Sequence, residues 1–417
     1  MTEVDLIIKN AQELLTLSSL FKDESGLAII RNGAVALKGT NIFWVGKTEE
    51  IGEKFILRQG GREIDARGKT VMPGLIDAHT HLVFAGSREN EFEQRIRGLS
   101  YLEIAERGGG ILSTVEATRK ASFDELFSLG KKRLDRMLSK GVTTVEAKSG
   151  YGLSLQDEVK ILQVMRALQE SHPVEIVPTF LGAHTIPKEF RNSRSRYIDL
   201  VAEEMIPRIA QEGLAEFCDV FCEEKAFTLE ESRRILDRGK QYGLKPKIHA
   251  DQLSPGGGAE LAAEIGAFSA DHLEYISREG VEKMAEKGVA AVLLPGASFF
   301  LSMKKYPPAR EMLEGGVAVC LATDLNPGSS MTESLPLIMT MGCTMLKMTP
   351  NEVIQGATAH AARSIGREKR VGSLEAGKQA DLLLLDIPNY RYLPYHFGVD
   401  HVELVVKKGK VVYQRPT

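Results

Sequence analysis

The sequence predicts an α/β fold in which a (β/α)8 TIM-like barrel is inserted into a small β-sandwich domain built from both chain termini. Two observations lead to this prediction. Apolar strand-like runs alternate with helix-like stretches through the middle of the chain, and short strand-like runs fill both ends. We expect residues 1–70 and 365–417 to form the β domain and residues 71–364 to form the barrel.

Short apolar or alternating runs lie at the two ends of the chain. The amino-terminal runs are separated by turn signals such as Asn32-Gly33 and Gly39-Thr40. At the other end, the apolar runs Asp381–Asp386 and His401–Lys407 precede a turn at Lys408-Gly409-Lys410. Because connections between elements stay simple, two strand-rich ends around a different middle predict one β domain that contains the barrel as an insertion.

The middle of the chain has a regular strand–helix rhythm. Periodic segments such as Asp157–Glu170 and Glu230–Tyr242 fill most gaps between apolar runs. Alternating strands and helices predict a parallel sheet with right-handed crossovers, and eight such units favour a closed barrel, although a doubly wound sheet has the same rhythm. The eight candidate strands are Val71–Ala78, Val142–Lys148, Val174–Leu181, Phe217–Glu223, Lys245–Ala250, Phe268–Leu273, Ala290–Leu294 and Val317–Ala322.

The composition is that of an ordinary globular protein, with 43% hydrophobic and 26% charged residues. A formal net charge of -3 gives no global positive field, so we expect no nucleic-acid partner. The amino terminus has no basic segment before an apolar run, and we find no apolar run of about 18 residues, so we expect no signal peptide and no membrane contact. The four cysteines form no CxxC pair, and free thiols in a reducing cytoplasm are expected.

The pair His79 and His81 ends the first candidate barrel strand. Residues two apart on a strand point to the same side, so both imidazoles project together at the carboxyl end, where barrels place catalytic groups. Two imidazoles on one rigid strand are half of a transition-metal site. An HxH motif alone is a weak signal, and its position after an apolar strand strengthens it.

Further polar residues end or directly follow later candidate strands. They are His184, His249, His272 and Asp324. A parallel barrel gathers all of these at one face, and three His with one Asp suit zinc or iron. Such a metal lowers the pKa of its bound water toward 7 and supplies a hydroxide nucleophile. The chain has no GxSxG elbow, no P-loop and no GxGxxG after a strand, which disfavours serine-nucleophile, nucleotide and dinucleotide chemistry.

The run from Pro73 to His81, with the later strand-end ligands, resembles the amidohydrolase superfamily. The closing segment Gly372–Asp386 is similar to that superfamily's return into its β domain. Within it, the chain resembles the imidazolonepropionase family over essentially its whole length. The segments that carry this narrower resemblance are Phe84–Phe92, Glu146–Leu153, Thr179–His184, Lys247–Gln252 and Thr323–Ser329.

The resemblance implies hydrolysis of 4-imidazolone-5-propanoate to N-formimidoyl-L-glutamate in histidine degradation, by attack of a metal-bound hydroxide on the ring carbonyl. It also implies a homodimer with one divalent or trivalent metal, zinc or iron, per chain. Positions that match the metal ligands are His79, His81, His249 and Asp324. Positions that match substrate contacts are Arg88, Tyr151, His184, Gln252 and Ser329, and those that hold the product are Asn326 and Gly328 with Tyr151.

Two departures from other amidohydrolases narrow the implied chemistry. Relatives that deaminate bases place a glutamate proton shuttle where this chain has Gln252, and an amide transfers no proton near neutral pH. Proton transfer is therefore expected from His272 and Asp324. Relatives with two metals use a carbamylated lysine at the end of the fourth strand. Here Lys225 lies beyond that end, which favours one metal.

Two other interpretations compete with this one. The first is another amidohydrolase or deaminase that acts on a related heterocycle. Gln252 and Arg88 disfavour it, because an arginine fork suits a carboxylate better than an aminated base. The second is a barrel that has lost its chemistry, which the complete set of metal-ligand positions disfavours.

Overall fold

A computed structural model of the chain describes residues 1–18, 23–52, 54–99, 103 and 109–416. Within these residues, eight parallel strands neighbour one another in chain order and form a barrel wall. A parallel bridge between Thr80 and Leu325 joins the two edges of this sheet. The barrel strands, numbered first to eighth below, are Leu75–Thr80, Val142–Lys148, Glu175–Ala183, Phe217–Cys222, Ile248–Ala250, Ser269–His272, Ala290–Leu293 and Val319–Leu321, and the short strand Lys245–Pro246 precedes the fifth.

Helices occupy most of the connections between barrel strands. The predicted helix at Asp157–Glu170 spans Leu155–Ser171, because the Ser154 hydroxyl accepts a hydrogen bond from the Asp157 amide and caps its first turn. None of the described helices is long and apolar enough to cross a membrane. The α-helices of the described residues are Glu89–Ile96, Ile111–Lys120, Phe123–Ser139, Leu155–Ser171, Arg194–Asp199, Ile206–Gln211, Leu229–Gln241, Gly258–Ile265, Arg278–Lys287, Pro295–Phe300, Ala309–Glu314, Leu335–Thr344, Pro350–Gly356, Ala359–Ser364 and Tyr392–Tyr395. A π-helix spans Leu200–Met205, and 3-10 turns span Thr48–Glu50 and Lys188–Phe190.

The two ends of the chain form two further sheets. One shared apolar cluster packs Ile8 and Val35 of the first sheet with Leu382 and Val406 of the second. This β-sandwich and the barrel confirm the predicted fold class, while the domain boundaries stay a prediction. The first sheet contains Thr2–Ala11, Gly33–Lys38, Asn41–Lys47 and Phe55–Asp65. The second contains Glu13–Leu15, Ile29–Ile30, Thr70–Pro73, Leu382–Leu385, Val402–Lys407 and Lys410–Gln414.

The expected first barrel strand, Val71–Ala78, is in fact parts of two strands. Residues Thr70–Pro73 belong to the β-sandwich, and Leu75–Thr80 belongs to the barrel. Gly74 makes the transition possible, because a Cβ atom there would lie 2.3 Å from Oγ1 of Thr143 on the neighbouring barrel strand. The apolar run crosses from one buried sheet into the other, so its hydrophobicity alone does not reveal the break.

A buried ion pair of the β-sandwich also contacts a carboxylate of the barrel. The Lys407 ammonium lies 2.6 Å from Oδ2 of Asp381, and both side chains are almost completely buried. Glu175, the first residue of the third barrel strand, places Oε2 3.6 Å from the same ammonium. Removal of one partner would leave uncompensated charge in a medium of low dielectric constant.

We therefore expect Lys407→Met to lower the free energy of unfolding by about 3–5 kcal/mol. The measurement is urea denaturation followed by circular dichroism. Lys410→Met is the matched control, because Lys410 is exposed on the next strand and should change stability by less than about 0.5 kcal/mol. Equal stability of the two variants would contradict a role for the ion pair at this junction.

Candidate metal centre

The carboxyl ends of the first and eighth barrel strands are joined by backbone hydrogen bonds. The Asp324 amide donates to the His79 carbonyl, and the His81 amide donates to the Leu325 carbonyl, both at 3.0 Å. As the strand spacing predicts, the His79 and His81 rings project together, with centroids 5.5 Å apart. Oδ1 of Asp324 faces both rings, 3.4 Å from Nε2 of His79 and 3.6 Å from Nε2 of His81.

Two further histidines reach the same place from the fifth and sixth strands. The His249 ring lies 4.6 Å from the His79 ring and 5.3 Å from the His272 ring. In each of two groups at this face, the candidate ligand atoms lie within 4.8 Å of one another. The groups are His79, His81 and Asp324, and His79, His249 and His272. The structure thus brings the four predicted ligands together and adds His272 beside them.

The polar atoms at the centre of this cluster suit a cation. Among the described residues, Nε2 of His79 and both ring nitrogens of His249 are buried without a hydrogen-bond partner. Buried polar groups of this kind are costly unless something compensates them. Neutral imidazole nitrogens and a carboxylate oxygen are the donors that zinc and iron prefer, so these residues fit such an ion.

Burial controls the protonation of the histidines. It lowers the pKa of His79 well below its usual value, and the nearby Lys148 ammonium acts in the same direction. Burial also lowers the pKa of His81 and of His272 well below the ordinary value, helped by neighbouring histidines. Neutral imidazoles have a free lone pair, so all three rings are in the form that binds metal.

Two of the histidines each have a carboxylate next to their Nδ1 atom. Oδ2 of Asp271 lies 2.6 Å from Nδ1 of His79, so Nδ1 donates and Nε2 is left to face Asp324. Oδ2 of Asp219 lies 3.0 Å from Nδ1 of His249, a close approach that lacks hydrogen-bond alignment. Both carboxylates orient their imidazole from the side away from the predicted ligand atoms.

A lysine inside the barrel binds these carboxylates. Nζ of Lys148 lies 2.8 Å from Asp219, 2.9 Å from Glu146 and 3.2 Å from Asp271. Although burial favours the neutral amine, the three carboxylates raise the pKa of Lys148 above its usual value. Sequence reasoning missed these residues. The available signal was the spacing of two between Glu146 and Lys148, which sends both side chains to one side of the second strand.

Both predicted proton-transfer residues have unusual backbone conformations. The φ angles of His272 and Asp324 are 79° and 52°, in the left-handed region that non-glycine residues seldom adopt. Asn326 and Ser329 both donate hydrogen bonds to Asp324. Nδ2 of Asn326 donates to the Asp324 carbonyl at 2.7 Å, and the Ser329 hydroxyl donates to Oδ2 at 3.2 Å. Burial raises the pKa of Asp324 to about 7.

Arg88 and the loop after the eighth strand form one wall beside the cluster. Oδ1 of Asn326 accepts hydrogen bonds from the amides of Gly328 and Ser329 at 2.8 and 2.9 Å. A Cβ atom on Gly328 would lie 2.2 Å from Nη1 of Arg88, so the glycine leaves room for the guanidinium. Nε and Nη2 of Arg88 contact one oxygen of Glu91 at 2.8 and 2.7 Å.

Tyr151 and His184 form a second wall. The His184 ring stacks on His81 with centroids 5.0 Å apart, and the Tyr151 ring lies 5.4 Å from His184. Nδ1 of His184 donates to the Gly150 carbonyl at 3.0 Å. Burial lowers the pKa of His184 to about 4, so its ring is neutral.

Gln252 follows the fifth strand, and its side chain is 8% exposed. The adjoining turn is held by Glu223, which accepts hydrogen bonds from the Leu253 amide at 2.9 Å and from the Ser254 hydroxyl. Glu223 lies just beyond the fourth strand, whereas Lys225 is exposed to solvent. None of the described hydrogen bonds or ion pairs joins Lys225 to the histidine cluster.

Solved structures with the same architecture come from several enzymes. An adenosine deaminase from Xanthomonas campestris with bound zinc matches at a TM-score of 0.73 and 18% identity, over 98% of this chain and 93% of that one. A 5-methylcytosine deaminase from Klebsiella pneumoniae liganded with 5-fluorocytosine matches at 0.75 and 18%, over 99% and 98%. At this identity the likeness shows the fold alone.

Sequence comparisons are more specific. A protein named imidazolonepropionase from Geobacillus sp. (strain WCH70) is 53% identical over 98% of this chain and 97% of its own length. One of the same name from Alkaliphilus oremlandii (strain OhILAs) is 51% identical over 99% of both. A family model described as "Amidohydrolase family" matches residues 70–412. The chain therefore belongs to the amidohydrolase family and, within it, to the imidazolonepropionases.

Proposed function

We propose that this chain hydrolyses the cyclic amide of 4-imidazolone-5-propanoate to N-formimidoyl-L-glutamate, a step of histidine degradation. The observation that carries the proposal is the convergence of three imidazoles and one carboxylate at the barrel face, beside the guanidinium wall of Arg88 and Gly328. Near-complete alignment with proteins named imidazolonepropionase supports the same substrate.

One zinc or iron ion is proposed at His79, His81, His249 and Asp324. A bound ion of this kind supplies a Lewis acid that activates water and polarises the carbonyl under attack. The fourth strand offers no lysine for a second ion, since Lys225 is exposed and Glu223 is occupied with the turn after Gln252. This arrangement supports one ion per chain.

Arg88 is proposed to bind the propanoate carboxylate of the substrate. Its Nε and Nη2 contact the Glu91 carboxylate, while Nη1 lies beside Gly328 and has no partner among the described hydrogen bonds, so Nη1 is available to an anion. Tyr151, His184 and Gln252 are proposed to orient the ring, because they offer neutral donors and acceptors to its N–H and C=O groups. The loop residues Asn326, Gly328 and Ser329 are proposed to complete the site on the Arg88 side.

His272 and Asp324 are proposed to transfer the protons of the reaction. Either can accept the proton of the attacking water, because both are buried and both lie beside His79. His272 can also stabilise the negative charge that develops on the carbonyl oxygen, and the ring nitrogen leaves after it is protonated. Gln252 can only orient the substrate ring, since its side-chain amide cannot act as a general acid or base near neutral pH.

We also propose that the protein acts in the cytoplasm. Cys218, Cys222, Cys320 and Cys343 are free thiols, as a reducing cytoplasm favours. The resemblance implies a homodimer, and the small-molecule substrate is the proposed partner.

An ultraviolet assay with freshly prepared 4-imidazolone-5-propanoate tests the proposed reaction. The ring absorbance should disappear while N-formimidoyl-L-glutamate forms. Ammonia release from a heterocyclic amine, without any turnover of the imidazolone, would instead favour a deaminase.

The variant His272→Ala should lower kcat by about 10²–10⁴-fold, because the site loses a proton-transfer group. Metal analysis of the same preparation should still give one zinc or iron per chain. His396→Ala is a suitable control, since this histidine is exposed after the helix Tyr392–Tyr395 and its described ring contacts are with Tyr392 and His401. Near-native turnover of His272→Ala with intact metal would rule out its proposed role.

Substitution of Arg88 by Met should raise KM by about 10- to 100-fold, because a charge-assisted pair with the propanoate is lost. Lys at this position should restore part of the affinity, since it keeps the charge and loses the fork. The measurement is steady-state kinetics beside Arg97→Met, which removes an exposed arginine paired only to Glu93 in the described contacts. An unchanged KM in Arg88→Met would place the carboxylate elsewhere.

A further inference from the structure

Lys148 connects two histidines of the candidate metal centre from inside the barrel. We infer that Lys148 is a positioning residue, whose ammonium group fixes Asp219 and Asp271 in the places from which they orient His249 and His79. This inference rests on the metal site of the proposed function, but not on the identity of the substrate.

The connection runs through single shared oxygen atoms. Oδ2 of Asp271 lies 2.6 Å from Nδ1 of His79 and 3.2 Å from Nζ of Lys148. Oδ2 of Asp219 lies 3.0 Å from Nδ1 of His249 and 2.8 Å from the same ammonium. Because each oxygen serves both an imidazole and the ammonium, displacement of the lysine would shift both rings.

Three buried carboxylates surround the Lys148 ammonium. Its Nζ donates to Oδ2 of Asp219 at 2.8 Å and to Oε1 of Glu146 at 2.9 Å, and Oδ2 of Asp271 lies 3.2 Å away as an ion-pair partner. The Thr179 hydroxyl donates to that same oxygen of Glu146 and holds it from the third strand. All of these side chains are fully buried, so the low local dielectric constant strengthens each contact and water cannot replace a lost one.

The ammonium also occupies a place that a second cation could otherwise take. Asp219, His249 and Asp271 have candidate ligand atoms within 4.8 Å of one another, like the two groups that face the site. Lys148 contributes a fixed positive charge between the two carboxylates of this group. Lys148 therefore keeps Asp219 and Asp271 in place to orient the imidazoles and prevents the two carboxylates from binding a metal ion.

Lys247 provides a matched control inside the same barrel. It is as completely buried as Lys148 and lies on a neighbouring part of the interior. Its Nζ donates to the Ser269 hydroxyl at 3.1 Å, and that hydroxyl donates to Oδ1 of Asp271 at 2.6 Å. Lys247 therefore reaches Asp271 through one intermediate group. Its Nζ also lies 4.0 Å from Oε1 of Glu146, an oxygen that faces no histidine in the described contacts.

The test compares Lys148→Met with Lys247→Met by titration of Co²⁺ against a competing chelator. We expect Lys148→Met to weaken Co²⁺ binding by about 10- to 100-fold and to alter the visible absorption of the bound ion, as loss of groups that orient ligands does. Lys247→Met should keep the wild-type spectrum and bind within about threefold of wild type. Unchanged binding and spectrum in Lys148→Met, or equal losses in both variants, would overturn the inference.

A milder pair of variants keeps the test decisive if Lys148→Met does not fold. Lys148→Gln and Asp219→Asn are measured singly and together. Because both remove the same link to His249, the double variant should bind Co²⁺ no more weakly than the weaker single variant. Additive losses would contradict the link. A wild-type chain that binds no Co²⁺ would instead contradict the proposed metal site, and failure to open the imidazolone ring would contradict only the proposed substrate.

Discussion

Closure of the barrel is the constraint on which the rest of the site depends. The His79 carbonyl and the His81 amide belong to the first strand, and their hydrogen bonds reach Asp324 and Leu325 beyond the eighth. A side chain reinforces this seam, because the Asp77 carboxylate accepts hydrogen bonds from the Thr323 amide at 3.0 Å and from its hydroxyl at 2.6 Å. The same bonds that close the sheet therefore place the two imidazoles opposite the Asp324 carboxylate. A one-residue slip at this seam would turn the side chains to the other face.

The interior of the barrel below the junction of the first and eighth strands is ionic, whereas the interior of such barrels is usually apolar. Lys148 and the carboxylates around it have no access to water, so their charges are stable only as a set. Burying such a set of charges costs free energy, and removing one member from the folded protein costs free energy as well. The set therefore holds the His79 and His249 side chains rigidly in their orientations. The left-handed backbone at His272 and Asp324 stores strain on top of this support. Rigid support and local strain occur together at the face where the chemistry is proposed.

The sequence predicted the parts of this arrangement that depend on local periodicity. Apolar runs located all eight barrel strands, and residues at strand ends located His79, His249 and Asp324, because parallel strands share one carboxyl edge. The break at Gly74 was missed, since both halves of that run are buried and only the partner strands differ. The contact between Asp271 and His79 could not be predicted from the sequence, because 192 residues separate the two and no local pattern links them.

The β-sandwich has a consequence for how the molecule reaches its native state. The strand Thr70–Pro73 pairs with Glu13–Leu15 on one edge and with Leu382–Leu385 on the other. Its second partner is synthesised only after every strand of the barrel, so the sheet stays incomplete throughout that interval. Contacts between such distant parts of a chain form slowly, and an open sheet edge is exposed to pairing with other chains. The strand Leu382–Leu385 thus completes a sheet edge that Thr70–Pro73 leaves open while the barrel strands are synthesised.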